Sequence, residues 1–163
     1  MKDTLVLLHG PNLGLLGTRR PDLYGTVTLE QITQAVSALC SAHGADLLAL
    51  QSNHEGVLLD TLGELLEQAA HGTRALRGML VNLGAWTHTS LALRDALEPF
   101  PVQLGVPVVE IHLTATFRRE RVRRRSLLSP ICQASIAGLG AEGYLVGARA
   151  LLAPGFPPTF SFC

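Results

Sequence analysis

Cysteine is scarce in this 163-residue chain. Cys40, Cys132 and Cys163 form neither a CxxC pair nor any metal-ligand spacing. That argues against a zinc site or a disulfide framework, and it sets the expectation of reduced thiols in a cytoplasmic protein. Long apolar runs are missing: none reaches the ~18 residues of a membrane-spanning helix. The amino terminus lacks the basic, apolar and small-residue succession of a secretory leader. No membrane partner is therefore expected. The net charge is zero, so the chain as a whole has no bulk attraction for nucleic acid. Repeats and linkers are also absent, and the length reads as one domain over residues 1–152. Residues 153–163 form a Pro- and Phe-rich tail that cannot be helical. The tail either docks on a surface or is a loose end. Hydrophobic residues make up 47% and charged residues only 16%. That balance fits surface buried between subunits or a Leu- and Val-rich α/β core.

What is present is an alternation of short apolar runs with helical patterns, which predicts a parallel sheet covered on both faces. The runs Thr4 to His9, Leu47 to Gln51, Met79 to Asn82 and Val108 to Leu113 read as strands. A fifth strand is expected over Ser135 to Gly138. Thr28 and Gln31 have capping-box spacing and open a helix to about Ala42, where His43-Gly44 ends it. Further helices are expected up to about His71, from Thr89 to Leu97, and from Ala141 to Leu152, the last stretch being ambiguous between strand and helix.

Polar residues collect where the strands end. The first strand stops at Gly10-Pro11 and is followed by Asn12, Arg19 and Tyr24. The third delivers Asn82 and His88, and the fourth His112 and Thr114. In an open parallel sheet those ends share the edge where ligands bind. Glu110 and His112 lie two apart on a strand, so they share a face. A carboxylate beside an imidazole orients it and favours its protonated form, which suits a general acid. A purely structural pair inside the sheet has the same spacing. A cationic guanidinium near a phenol favours the phenolate, which makes a tyrosine usable as a base.

Taken in order, the segments resemble type II 3-dehydroquinate dehydratases. They are Gly10-Pro11-Asn12-Leu13 with Leu16-Gly17-Thr18-Arg19 and Tyr24-Gly25; Gln51-Ser52-Asn53-His54-Glu55-Gly56; Asn82 with Gly84-Ala85 and Thr87-His88-Thr89-Ser90; Ala92-Leu93-Arg94-Asp95-Ala96; Val108 to Leu113; Ser129-Pro130; and Gly138-Leu139-Gly140-Ala141 with Gly143-Tyr144. The resemblance implies a flavodoxin-like α/β fold, a five-stranded parallel sheet with helices on both faces. It implies a dodecamer of four trimers, no metal and no cofactor. The implied reaction is anti elimination of water from 3-dehydroquinate through an enolate, in shikimate or quinate metabolism.

The same resemblance implies roles. Tyr24 would remove the C2 proton, with Arg19 lowering its pKa from the ordinary value of about 10. Asn12 would hold a water against the enolate oxygen. His112, supported by Glu110, would protonate the departing C1 hydroxyl. Asn82 and the backbone amides of Leu113 and Thr114, with the Thr114 hydroxyl, would hold the carboxylate end. His88 and Arg123 would bind ring hydroxyls, and Asp95 would reach a neighbouring subunit's site.

The chain departs from the family pattern at several places. Arg20 stands in the lid where a glutamate is usual, Thr114-Ala115 replaces Ser-Asn, and Leu83 follows Asn82 in place of proline. The loop Glu98 to Pro107 reads as longer than usual. Arg118 to Arg125 concentrates six arginines in eight positions, which are expected to line an anionic substrate site or to pair with acidic residues across a trimer contact. Two other readings follow from these departures: a paralogue with altered substrate or weak activity, and a non-enzymatic oligomer binding polyanions such as nucleic acid through the arginine run.

Overall fold

A computed structural model describes residues 2–19 and 25–156. Arg20, Tyr24, Cys163 and most of the tail lie outside the described residues. Five parallel strands, β1 (Thr4–His9), β2 (Asp46–Gln51), β3 (Leu76–Asn82), β4 (Val108–His112) and β5 (Ala134–Ala137), form one sheet in the order β2-β1-β3-β4-β5. This is the flavodoxin-like arrangement. Its topological switch lies between β1 and β3, where His9 pairs with Asn82 at the carboxyl ends.

The helices are α1 (Leu29–Ala42), α2 (Glu55–Ala70), α3 (Leu91–Leu97), α4 (Pro99–Gln103) and α5 (Glu142–Leu152). The residues of β1 are buried on both faces, as a continuous apolar run in a covered sheet requires. Leu5 and Leu7 pack with Ile32, Val36, Tyr144 and Ala148 from α1 and α5. Val6 and Leu8 pack with Leu58, Leu62, Leu93 and Phe100 from α2, α3 and α4. Gly147 lets α5 lie close on the sheet, since a Cβ there would come within 2.7 Å of Leu80 Cδ2.

The capping box is complete. Thr28 Oγ1 accepts from Gln31 N at 3.2 Å, and Gln31 Oε1 accepts from Thr28 N at 2.9 Å. Gly44, at φ 69°, closes the same helix. Besides one-residue shifts at the ends of β2, β4, β5 and α5, three places differ from the sequence reading. Strand β3 starts at Leu76, before the expected Met79. Helix α3 starts at Leu91, because Ser90 caps it by accepting from Leu93 N at 2.9 Å. The long loop expected from Glu98 is partly helical: Pro99 takes the first helical position of α4, where its missing N–H costs nothing.

His9 ends β1 as a buried imidazole. Its Nδ1 faces Leu50 O at 3.2 Å, its ring packs against Tyr144 at 5.4 Å between centroids, and its Nε2 has no partner among the described residues. Burial lowers its pKa to about 4 from 6.5, outweighing the opposing effect of the Leu50 bond. The unfolded chain thus takes up this proton first. Stability present above pH 6.5 is lost as pH falls towards about 4. Unfolding midpoints measured across that window should reveal the loss, and His9→Leu should remove ~3 kcal/mol of the pH dependence. An unchanged slope in the variant would refute the assignment.

Candidate active site

The carboxyl edge of the sheet is built by close backbone approach. A Cβ on Gly10 would lie 2.3 Å from Leu83 O, so only glycine lets the chain leaving β1 press against the turn after β3. Asn12 then adopts φ 66°, a left-handed conformation that asparagine tolerates well. Gln51 and Asn53, beyond β2, brace this turn. Gln51 Nε2 donates to Gly10 O at 3.2 Å, and Asn53 Oδ1 accepts from Asn12 N at 2.8 Å. The distinctive Gln-Ser-Asn segment thus acts by fixing backbone.

The cavity at this edge measures about 190 Å3. Asn12, Arg19, Asn82, His88, His112, Leu113, Thr114 and Arg123 all line it. The structure therefore brings together eight of the eleven residues singled out in the sequence. Glu110 lies behind the wall, beneath His112. Asp95 is on α3 outside the cavity, where it is exposed and paired with Arg94 at 2.8 Å. Tyr24 lies outside the described residues.

Glu110 is fully buried within the sheet. Its Oε1 accepts from His112 Nε2 at 2.9 Å, from Ser126 Oγ at 2.7 Å and from Thr87 Oγ1. Its Oε2 faces the hydroxyls of Ser129 and Ser135 at 3.3 and 3.4 Å. Burial raises the carboxyl pKa, but His112 and the Thr87 and Ser126 hydroxyls outweigh it, so the net shift is downward. With Nε2 turned to the carboxylate, Nδ1 is the ring nitrogen of His112 left for the cavity. His88 stacks on His112 at 6.3 Å and 11°. Its Nδ1 faces Arg125 O at 2.7 Å, which replaces the backbone bond near Thr89 that a plain helix-start histidine would make.

Asn82 is held at both ends of its amide. Nδ2 donates to Tyr144 Oη at 2.8 Å, and Oδ1 accepts from Gly84 N at 3.2 Å. Beyond β4, Gly138 N donates to His112 O at 3.2 Å and Gly140 N to Leu113 O at 2.9 Å. Ala115 packs its Cβ against the position of Gly138, so the loss of an amide there leaves a tight contact.

The wall carries Arg19, Arg119 and Arg123, and no carboxylate among the described lining residues. Glu120 ties Arg123 at 2.6 Å and Arg119 at 3.5 Å. Such a cavity suits an anionic ligand, because guanidinium groups match carboxylates in charge and shape. Among the described residues no group of three or more His, Cys, Asp or Glu could hold a metal. No helix of the described residues is long and apolar enough to cross a membrane. The sequence reading missed Arg119 within the arginine run, and it missed Thr87, Ser126 and Tyr144 as partners of the site residues. Thr87 and Tyr144 stood inside recognised segments but carried no periodicity that would assign them.

Tyr144→Phe should strand the buried Asn82 amide and lower stability by about 1–3 kcal/mol. Urea unfolding at unchanged m-value measures this, and wild-type stability in the variant would show that the bond contributes nothing.

Comparison with known proteins identifies the family of the chain. The family model "Dehydroquinase class II" matches residues 3–152. A 3-dehydroquinate dehydratase of Ruegeria pomeroyi is 45% identical over 150 residues, covering 92% of this chain and 93% of that one. A catabolic 3-dehydroquinase 2 of Aspergillus flavus is 45% identical over 146 residues, covering 90% of each. The crystal structure of a type II dehydroquinase from Butyrivibrio crossotus superposes with a TM-score of 0.82 at 30% identity. That match covers 93% of this chain and 99% of the other.

Proposed function

The chain belongs to the class II dehydroquinase family, and we propose that it is a hydro-lyase converting 3-dehydroquinate to 3-dehydroshikimate. The observation that carries this reading is the single cavity in which Asn12, Arg19, Asn82, His88, His112, Thr114 and Arg123 meet, with His112 backed by Glu110. The C2 hydrogen of the substrate is acidified by the adjacent ketone. Tyr24 takes that proton as phenolate, with Arg19 favouring its ionised form. The charge moves onto the ketone oxygen as an enolate, which a water on Asn12 stabilises. The enolate collapses, the C1–O bond breaks, and His112 supplies the proton that lets the hydroxyl leave as water. Asn82, Leu113 and Thr114 hold the carboxylate end; His88 and Arg123 hold the ring hydroxyls.

Residues 1–152 form the dehydratase domain in this reading, with 153–163 as a tail, in a cytoplasmic protein. The relative named 3-dehydroquinate dehydratase and the one named a catabolic 3-dehydroquinase are both 45% identical, so similarity does not choose between shikimate synthesis and quinate breakdown. Assembly into a dodecamer of trimers would let Asp95 complete a neighbour's site. Phe117 and Val122 are exposed on the loop that carries Arg119 and Arg123, which favours a subunit contact beside the cavity.

Mixing purified protein with 3-dehydroquinate should produce enone absorbance, and Tyr24→Phe should lower kcat at least about a hundredfold. Absence of the rise, or a Tyr24→Phe variant equal to wild type, would defeat the proposal. Four arginines of the run, Arg118, Arg121, Arg124 and Arg125, are exposed, so salt-sensitive binding of generic DNA without turnover would favour the polyanion reading. Light scattering should return a multiple of the trimer mass. A monomer would contradict the shared site proposed for Asp95, whereas loss of activity in Asp95→Ala at unchanged mass would support it.

A further inference from the structure

The donors around Glu110 do more than neutralise a buried charge. Ser126 Oγ accepts from Leu128 N at 3.0 Å and from Ser129 N at 3.1 Å. Those two bonds use both acceptor sites of a hydroxyl. Its own hydrogen can therefore only be given away, and Glu110 Oε1 at 2.7 Å is a nearer acceptor than Thr87 Oγ1 at 3.1 Å, and a charged one. Thr87 is fully buried, and its Oγ1 contacts the same oxygen. Its position is fixed by Leu127 N, which donates to Thr87 O at 2.8 Å. His112 Nε2 is the third group on Oε1.

Three donors converging on one oxygen leave no room there for a proton of its own. The titratable groups facing this carboxylate are His112, itself stacked on His88, and Cys132 on the segment before β5. Burial first, and then the Glu110 charge, keep the Cys132 thiol protonated. Neither His88 nor Cys132 competes for Oε1.

We propose that Thr87 and Ser126 are positioning residues of the elimination: their hydroxyls donate into Glu110 Oε1 and so keep the proton of the Glu110–His112 pair on the imidazole. The proposal rests on the dehydratase reading for its consequence in turnover, but not for its consequence in the pair itself. Without the hydroxyls the shared proton is free to sit on the carboxylate, leaving a neutral imidazole that cannot protonate the leaving hydroxyl. No atom is added or lost; one proton changes its place within the pair. Thr87 sits one residue from His88, and Ser126 three residues from Arg123. The same two hydroxyls therefore also pin the wall segments that carry two cavity residues.

Thr87→Val preserves shape and deletes the hydroxyl; Thr87→Ser preserves the hydroxyl and deletes a methyl. Thr87→Val should lower kcat for 3-dehydroquinate about tenfold with KM within about twofold, as loss of one hydrogen bond to a charged group predicts. Thr87→Ser should recover most of kcat. A Val variant with wild-type kcat, or Val and Ser variants equally impaired, would overturn the proposal in favour of packing alone. Infrared spectra taken during acid titration, with Glu110→Gln marking the band, should show the Glu110 acid carbonyl appearing at higher pH in Thr87→Val. An unmoved band would also overturn it. Ser126→Ala repeats both measurements at the second donor to the same oxygen should Thr87→Val fail to fold. If the wild-type protein does not convert 3-dehydroquinate, the dehydratase reading fails while the infrared titration still decides the clamp.

Discussion

A carboxylate in the middle of a covered sheet is the constraint on which the site depends. Burying Glu110 unpaired would cost more than a domain of this size can bear. Its neighbourhood is accordingly built of donors: an imidazole two residues along the same strand, a threonine from the turn after β3, two serines from the segment between β4 and β5, and a serine of β5 itself. The donors arrive from four different stretches of chain. Satisfying one charge therefore fixes the turn bearing His88, the strand end bearing His112 and the loop bearing Arg123. The energetic demand and the catalytic geometry are met by the same hydrogen bonds.

The remainder of the wall follows from the switch between β1 and β3. Two neighbouring strands whose connections leave in opposite directions open a crevice between their carboxyl ends. Here Gly10 closes the backbone distance and Asn12 takes the left-handed turn. Gln51 and Asn53 hold that turn from β2, and Tyr144 holds Asn82 from α5. The Asn12 turn and Asn82 are thus each braced by residues that do not line the cavity. Of these supports Tyr144 is fully buried, where an unsatisfied donor is most costly, whereas Gln51 and Asn53 are exposed.

Strand existence was legible because buried parallel strands are continuous apolar runs, and Leu5 to Leu8 is one. The strand starts were less so: Leu76 and Arg77 of β3 are only half-buried and interrupt the run. Helix α4 was hidden inside a proline-rich stretch, since proline reads as a breaker unless it falls at a first helical turn. At the site, residues at strand ends could be named from position alone. Their partners could not. Thr87 and Ser126 look like ordinary loop hydroxyls, and only the fold shows that both face one buried oxygen. Arg119 was legible as part of a cationic run, but a run of arginines does not say which face is turned inward.

That last point resolves the tension between a neutral chain and a cationic run. The arginines do not act as one patch. Arg119 and Arg123 turn towards the cavity and share Glu120, whereas Arg118, Arg121, Arg124 and Arg125 stay at the surface. The short helical turns over Thr116–Arg118 and Arg121–Arg123 leave Arg119 and Arg123, four residues apart, on the cavity side and the residues between them exposed. Among the described residues only Glu120 pairs with these arginines and no carboxylate lines the wall, so guanidinium groups set the charge there even though the chain has no net charge. A low-dielectric, one-signed pocket is where an anionic substrate and a developing enolate gain most. The local sorting of charge, rather than its total, is therefore what fits the site to its proposed ligand.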